Sequence, residues 1–544
     1  MYQHIRKTVN YVSNHHYLLI FLWSAFILFI GLTAEQSILA HDEGLYATRA
    51  KIMFETGDWV NPWELPHHKP PGTYWLIALM YHLGGVNEIV LRSPNLILAI
   101  GCAFLVYEIS KSLFDQTIAL SAALILNLEF LWVKYSYLAN PDHPTIFLFL
   151  LAIWGLLKYQ DRLKQQIEDT NQTIFLSRGN STKYLFIFGT CLSFMIVFRG
   201  FYALMLILSL TPYLFITNRT SQHFKKISLY LGLILGLSPF LIWLYLNFQR
   251  FDVKSFQALI DLFVNLSQEE RQGNKQFYYI WNTLSLCFPW IIFSGIGFIT
   301  EFKKSNYPQK LLSIGVPSLI FIMITLYETR ISHYALSLYP FLAILASLGI
   351  HFLLRSTEDS RIQKIQNRTI QAISYFLMVI GSLAFLAGLI CLFFGKYLFS
   401  DVEFTRYIYI AFPIALSWMY LGICIYKKYS KTSWLISLLL GQWLTMVLLN
   451  SSGLMTDINP EFKKAMLTPE VQRVVQSNSV ALLGDGKQQV LLRFYTPVVN
   501  YRINTFDEIK IDHYVWMKET DLPQNANQYQ IISTYEELRL IQKK

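Results

Sequence analysis

IQAISYFLMVIGSLAFLAGLICLFF (residues 370–394) runs through 25 positions without one charged side chain. A helix of about 20 such residues crosses the roughly 30 Å hydrocarbon layer of a bilayer, so this run predicts a membrane span. Working outward, comparable apolar runs recur at Tyr17–Ala34, around Ile118–Trp132 and at Ser433–Asn450. Across the whole chain only 15% of residues are charged and 53% are hydrophobic. A soluble domain carries about 25% charge, so most of this chain faces something other than water. The expected class is an all-α polytopic membrane protein.

Arg6 and Lys7 precede the first apolar run, and no small-residue cleavage site follows it. It reads as a retained first helix, not a signal peptide. The five cysteines (Cys102, Cys191, Cys287, Cys391, Cys424) fall in or beside apolar runs and show no disulfide or metal spacing.

Thirteen candidate spans follow, near residues 17–34, 92–112, 116–134, 143–159, 183–198, 200–217, 227–247, 280–299, 311–327, 334–354, 370–396, 405–426 and 432–450. Lysine and arginine concentrate in alternate connections. Arg162, Lys164 and Arg178 share one, Arg219, Lys225 and Lys226 the next, then Lys303, Lys304 and Lys310. Arg355, Arg361, Lys364 and Arg368 follow, and then Lys427, Lys428 and Lys431. Cytoplasmic connections are the basic ones, which places the N-terminus inside and the chain after the last span outside. Much of the net charge of +10 is therefore topological, and a nucleic-acid partner is not expected.

This divides the chain into a membrane domain over 1–454 and an extracytoplasmic α/β domain over 455–544. In the latter, PEFKKAM (460–466) and TPEVQRVVQ (468–476) read as helices, and SVALLGDG (479–486) and QVLLRFYTPVV (489–499) as short strands. The first outer connection, 35–91, is long. Its segment EGLYATRAKIMFET (43–56) has apolar residues at helical spacing and reads as an interfacial amphipathic helix. The 248–279 connection is long and polar.

On this topology the isolated ionisable residues gather on one membrane face. Asp42 and Glu43 follow the first span, Lys69 lies in HHKPPGTYW, Asp142 opens the fourth span, and Arg199 stands between the fifth and sixth. Arg330 and His333 lie in ETRISHY at another outer turn. Each has a plainer reading. Asp142 suits a helix N-cap, the arginines suit headgroup contact, Lys69 suits a turn, and His67, His68 and His333 suit ordinary loops. Their shared side favours a site. Cations neutralise a departing phosphate and a carboxylate accepts the proton of an incoming hydroxyl, which is the chemistry of transfer from a phosphate-linked donor. No nucleotide-binding glycine motif is present.

The run HDEGLYATRAKIMFETGDWVNPWELPHHKPPGTYW (41–75) resembles the first outer loop of the protein-O-mannosyltransferase-like superfamily, to which the aminoarabinose transferases belong. The matching residues are Asp42-Glu43, Gly57-Asp58-Trp59, and Lys69-Pro70-Pro71 with Trp75. Arg92-Ser93-Pro94, Asp142, Pro289-Trp290 and the Arg330–Tyr334 segment with Pro340 extend the resemblance over roughly residues 1–350. It implies a GT-C fold of thirteen helices with an extracytoplasmic C-terminal domain. It also implies an inverting glycosyltransferase that uses a polyprenyl-phosphate sugar. By this resemblance Asp42 is the catalytic aspartate and Lys69, Arg199 and Arg330 contact the donor phosphate. His68 replaces the usual glutamate of the aminoarabinose transferases, and Arg199 and Arg330 replace lysines. The first change points away from aminoarabinose and lipid A; the others keep the charge and add a planar fork.

The expected function is transfer of one sugar from a polyprenyl-phosphate donor to an extracytoplasmic hydroxyl of a lipid, glycan or protein, in a bacterial inner membrane. Asp42 is the expected base, and Glu43 and Asp142 orient acceptor or donor. His68, His333, Tyr334 and Arg271 are further substrate-binding candidates. No metal is expected to be required. A divalent cation held among His41, Asp42, Glu43, His67, His68, Asp142 and His143 is the alternative. A flippase for the same lipid, or an assembly protein without catalysis, are the rival functions; the sequence lacks the internal repeat common in transporters.

Overall fold

The computed structural model describes residues 2–33, 37–39, 42–62, 66–171, 181–268, 277–304, 306–398, 402–455, 460–483, 487–496, 499–503 and 505–544. The membrane part is helical. It runs α1 (Tyr2–Ile30), α2 (Asp42–Thr56), α3 (Gly72–Gly84), α4 (Glu88–Leu113), α5 (Gln116–Leu126), α6 (Phe130–Ser136), α7 (Asp142–Asn171), α8 (Thr182–Arg199), α9 (Phe201–Ser221) and α10 (Ile227–Phe251). It continues α11 (Lys254–Gln268), α12 (Tyr278–Leu286), α13 (Trp290–Phe302), α14 (Tyr307–Lys310), α15 (Val316–Leu326), α16 (Tyr339–Leu354), α17 (Ser360–Leu398), α18 (Val402–Tyr426) and α19 (Lys431–Ser451).

Among the described residues, nine helices are long and apolar enough to span a bilayer, and counting each of two bent pairs as one span gives eleven. The bent pairs are α5–α6 at 63° and α12–α13 at 111°. The first and fourth expected runs lie on α1, whose apolar part is His15–Ile30, and on α7. Every expected span thus falls on a helix or a bent pair. The chain is a multi-pass membrane protein.

Local chemistry sets the boundaries. Asn87 caps α4 by accepting from Val90 N, and Asp115 caps α5 by accepting from Thr117 N and Ile118 N. The two bends meet inside the bundle, where Cys287 Sγ donates to the fully buried Glu129 at 3.3 Å and Trp290 Nε1 to Leu128 O. Close helix contact comes from glycine: a Cβ on Gly297 of α13 would stand 1.9 Å from Leu345 O of α16, and one on Gly349 2.0 Å from Phe293 O. Small residues let backbones approach this closely in the bilayer.

The tail adds α20 (Pro460–Met466), α21 (Pro469–Ser477), β1 (Val480–Leu483), α22 (Lys487–Tyr495), β2 (Val499–Ile503), β3 (Tyr514–Lys518), β4 (Tyr529–Tyr535) and β5 (Leu538–Lys543). The sheet order is β2-β1-β3-β5-β4. β1 pairs in parallel with β2 and β3, while β5 pairs antiparallel with β3 and β4. Val480 opposes Tyr514, and Trp516 opposes Leu540.

One expected strand is corrected. Residues 487–495 form the helix α22, and extended backbone begins only at Val499. Val490, Leu491, Phe494 and Tyr495 recur at a helical spacing of four, so a single helical face collects them. That face packs on the outer loop. Residues of α2 and α3 (Tyr46, Ala47, Ala50, Met53, Tyr74, Tyr81) share one hydrophobic cluster with tail residues Phe462, Leu491, Phe494 and Trp516. This also changes the reading of α2. The helix forms where expected, but its polar Thr48 and Lys51 are buried, 4% and 3% exposed, because the tail covers its second face.

Candidate active site

The loop connections at one end of the bundle bring Asp142 and Arg199 into contact and set the Lys69 turn against them. α7 begins at Asp142 and α8 ends at Arg199. Arg199 Nη2 lies 3.0 Å from Asp142 Oδ1, with both side chains largely buried. The Arg199 guanidinium also sits 5.0 Å from the Tyr202 ring centroid and 5.4 Å from that of Tyr334. Such stacking suits the planar arginine fork. Tyr202 Oη donates to Tyr334 O at 2.8 Å, which ties the helical turn Ser332–Leu338 to this corner. His333 packs on Tyr135 at 5.2 Å and on Tyr334 at 4.9 Å. Arg330 is buried at the start of the same segment.

Lys69 reaches the corner from the first outer loop. The turn between α8 and α9 needs Gly200, whose φ is +55°, and a Cβ there would stand 3.1 Å from Pro70 Cγ. A Cβ on Gly72 would stand 2.7 Å from Val197 O. The Lys69-Pro70-Pro71-Gly72 turn therefore rests directly on the end of α8 that carries Arg199. Lys69 Nζ lies 4.7 Å from the Tyr46 ring centroid, and Tyr46 is within electrostatic reach of Arg199. Asp42 is the first residue of α2, one turn before Tyr46 on the same helical face; the placement of its side chain lies outside the described residues.

Below this corner, His67 Nε2 is 2.7 Å from Tyr74 Oη and 3.1 Å from Arg49 Nη1. Burial, joined by the charges of Arg49, His68 and Lys69, holds His67 well below the usual imidazole range. Burial and then Lys69 and Arg49 push His68 down to about 4. Both imidazoles are neutral at pH 7, so they add no charge to the corner.

Glu43 stands apart from the open corner. It is fully buried, and Arg92 grips it with Nε at 2.8 Å from Oε1 and Nη2 at 2.9 Å from Oε2. Leu39 N donates to it at 2.8 Å and Arg92 Nη2 also donates to Ser37 O. A bidentate pair of this kind fixes geometry strongly. Arg271 lies outside the described residues.

Sequence reasoning did not assign Tyr46, Tyr202, Lys51 or the pairing of Arg92 with Glu43. Tyr46 lies four residues after Asp42, the spacing of helical neighbours, whereas Tyr202 meets Arg199 across the turn at Gly200. Among the described residues no three His, Cys, Asp or Glu side chains group to hold a metal ion. Of the expected ligands, Glu43 is taken by Arg92, Asp142 by Arg199, His67 by Tyr74 and Arg49, and His143 by Ser136 at 3.0 Å.

The structure is similar to the crystal structure of ArnT from Cupriavidus metallidurans bound to undecaprenyl phosphate, with TM-score 0.70 and 15% identity over 96% of this chain and 97% of that one. The fold is GT-C. An Archaeoglobus fulgidus oligosaccharyltransferase shares this GT-C architecture more distantly, at TM-score 0.53 and 10% identity over 94% of this chain and 69% of that one. Residues 68–169 match the dolichyl-phosphate-mannose-protein mannosyltransferase family, a segment that holds Lys69, Arg92 and Asp142. An uncharacterized protein of Aquifex aeolicus (strain VF5) is 30% identical over 151 residues, which are 27% of this chain and 30% of that relative's length. The GT-C fold expected from residues 41–75 thus extends over nearly the whole chain.

Proposed function

We propose that this protein is an inverting membrane glycosyltransferase that transfers one sugar from a polyprenyl-phosphate donor to an acceptor hydroxyl on the extracytoplasmic side. The observation that carries the reading is the buried Arg199–Asp142 pair resting against the Lys69 turn, with Tyr334 beside it and the buried Arg330 four residues before Tyr334 in the chain. Lys69 and Arg199 at this corner, with Arg330 as a third cation, suit the phosphate of a lipid-borne donor. The undecaprenyl phosphate bound by the Cupriavidus GT-C protein supports the same donor class.

In this mechanism the acceptor O–H gives its proton to the Asp42 carboxylate as the oxygen attacks the sugar's anomeric carbon. The bond from that carbon to the phosphate oxygen breaks, and polyprenyl phosphate leaves with the electron pair, which Lys69, Arg199 and Arg330 neutralise. Attack from the face opposite the phosphate inverts the centre. Asp142 holds Arg199 in position, and Glu43, gripped by Arg92, holds the start of α2. Tyr334 and His333 flank the Arg199 corner, and His68 borders the Lys69 turn. No metal is required, because the cations supply the charge a metal would.

The test uses purified, folded protein in liposomes with undecaprenyl phosphate carrying a tritiated sugar. Asp42→Asn is expected to reduce transfer by at least about 100-fold, the lower end of what a general base contributes. Near-normal turnover removes Asp42 from the role. Movement of label across the bilayer without transfer would favour a flippase, and loss of transfer in EDTA restored by Mn²⁺ would bring back a metal.

A further inference from the structure

Lys51 of α2 is a buried lysine that the reaction does not use. Its ammonium points into the end of α22: Nζ donates to Arg493 O at 2.9 Å, Thr496 O at 2.5 Å and Phe494 O at 3.5 Å. Arg493 and Phe494 lie in the last turn of α22 and Thr496 directly follows it, so these carbonyls stand at the helix's negative dipole end. One buried cation thus caps a helix from another part of the chain. Glu55 stands 3.7 Å away on the next turn of α2.

Three further contacts join α22 to the same stretch. Ile38 N donates to Tyr495 Oη at 3.2 Å, and that hydroxyl donates to Glu88 Oε1 at 2.7 Å. Glu88 is in turn paired with Lys463 of the tail at 3.0 Å. A Cβ on Gly44 would stand 2.7 Å from Val490 Cγ1, so α2 and α22 touch where only hydrogen fits. In sequence, these points fall on both sides of Asp42: Ile38 before it, Gly44 and Lys51 after it. Glu88 opens the helix that supplies Arg92, the partner of Glu43.

We propose that α22 of the tail domain is a positioning element for the Asp42 carboxylate, acting through the cap that Lys51 places on its C-terminal turn. The tail then serves turnover directly. This inference rests on Asp42 being the base. Displacing a catalytic group by 1 Å costs up to about 100-fold in rate, so loosening α2 lowers kcat while leaving the cations around the phosphate in place.

The experiment compares full-length Lys51→Met and Tyr495→Phe with the parent protein. Turnover is measured with undecaprenyl phosphate carrying tritiated mannose, glucose or aminoarabinose, with envelope extract of a deletion strain as acceptor. Affinity for undecaprenyl phosphate itself is titrated in parallel. Lys51→Met is expected to lower kcat about tenfold or more with that affinity unchanged within about twofold. Tyr495→Phe, which removes one hydroxyl, lowers kcat about threefold and carries the test if the methionine variant does not fold. Placed on an Asp42→Asn background, neither change lowers the remaining activity further, because both act through the group already lost. Parental kcat in both variants, or a fall in undecaprenyl phosphate affinity that matches the fall in kcat, overturns the inference. Full turnover by Asp42→Asn overturns the base assignment instead, so the two failures are distinguishable.

Discussion

Arg199 and Asp142 illustrate what one buried ion pair demands of its partners. Removing one member leaves the other charge without water or counter-ion, at a cost of typically about 3–5 kcal/mol. Arg199→Met is therefore expected to lower the thermal midpoint and to abolish binding of undecaprenyl phosphate. Arg199→Met combined with Asp142→Asn regains most of the midpoint and none of the binding. Thermal shift and ligand titration read the two effects separately; a double variant that still binds would remove Arg199 from the phosphate site. His68 gives a pH-dependent counterpart. Its folded value of about 4 lies below the ordinary 6.5, so the folded state resists protonation. Its contribution is intact above pH 6.5 and is lost as pH falls toward 4, because the unfolded chain takes up the proton first. His68→Gln should flatten the fall of thermal midpoint across that window, and an unchanged slope would show that other groups govern it. At this scale the sequence exposed lone charges beside apolar runs, which made Asp142 and Arg199 visible. It could not expose Lys51, because its partners are backbone carbonyls and those carry no side-chain signal.

Helices were legible wherever their apolar length exceeded what a soluble element needs. The separation of α8 from α9 was less legible, because it rests on a left-handed turn at the single residue Gly200. α22 was misread as a strand because a short apolar run looks alike in both forms, and only its packing on α2 arbitrates. The contact between α13 and α16 has a sharper consequence. A methyl group at Gly297 would overlap the carbonyl of Leu345, and relief requires the two helices to part along their length. Gly297→Ala should lower the thermal midpoint markedly. Gly295, two residues away, has nothing within 4 Å of a Cβ, so Gly295→Ala should not lower it. Equal midpoints for the two variants would refute the close approach. The cost belongs to the helix pair, since the alanine itself suits a helix better than glycine does.

The packing of the tail on α2 and α3 constrains the topology of the whole chain independently of charge. Two segments that share one hydrophobic cluster lie on the same side of the bilayer, so the chain between them crosses an even number of times. The eleven apolar spans all lie between α3 and the tail, and an odd count cannot bring them together. α7 supplies the missing crossing. It opens with Asp142 and His143 and carries Lys158, which dilutes its apolar character, yet it lies between α4 and α8 as a spanning helix would. The lysine and arginine pattern predicts the direction, with the basic connections inside and both the first loop and the tail outside. Alkaline phosphatase is active only after export and green fluorescent protein only when left inside, so fusions decide it. Phosphatase joined after Lys544 should be active, and phosphatase inserted after Lys303, in the basic connection between α13 and α14, should be silent, with the fluorescent reporter giving the converse at both points. An active phosphatase at Lys303 would place the Arg199 corner on the cytoplasmic face, where the acceptor proposed for this protein is absent.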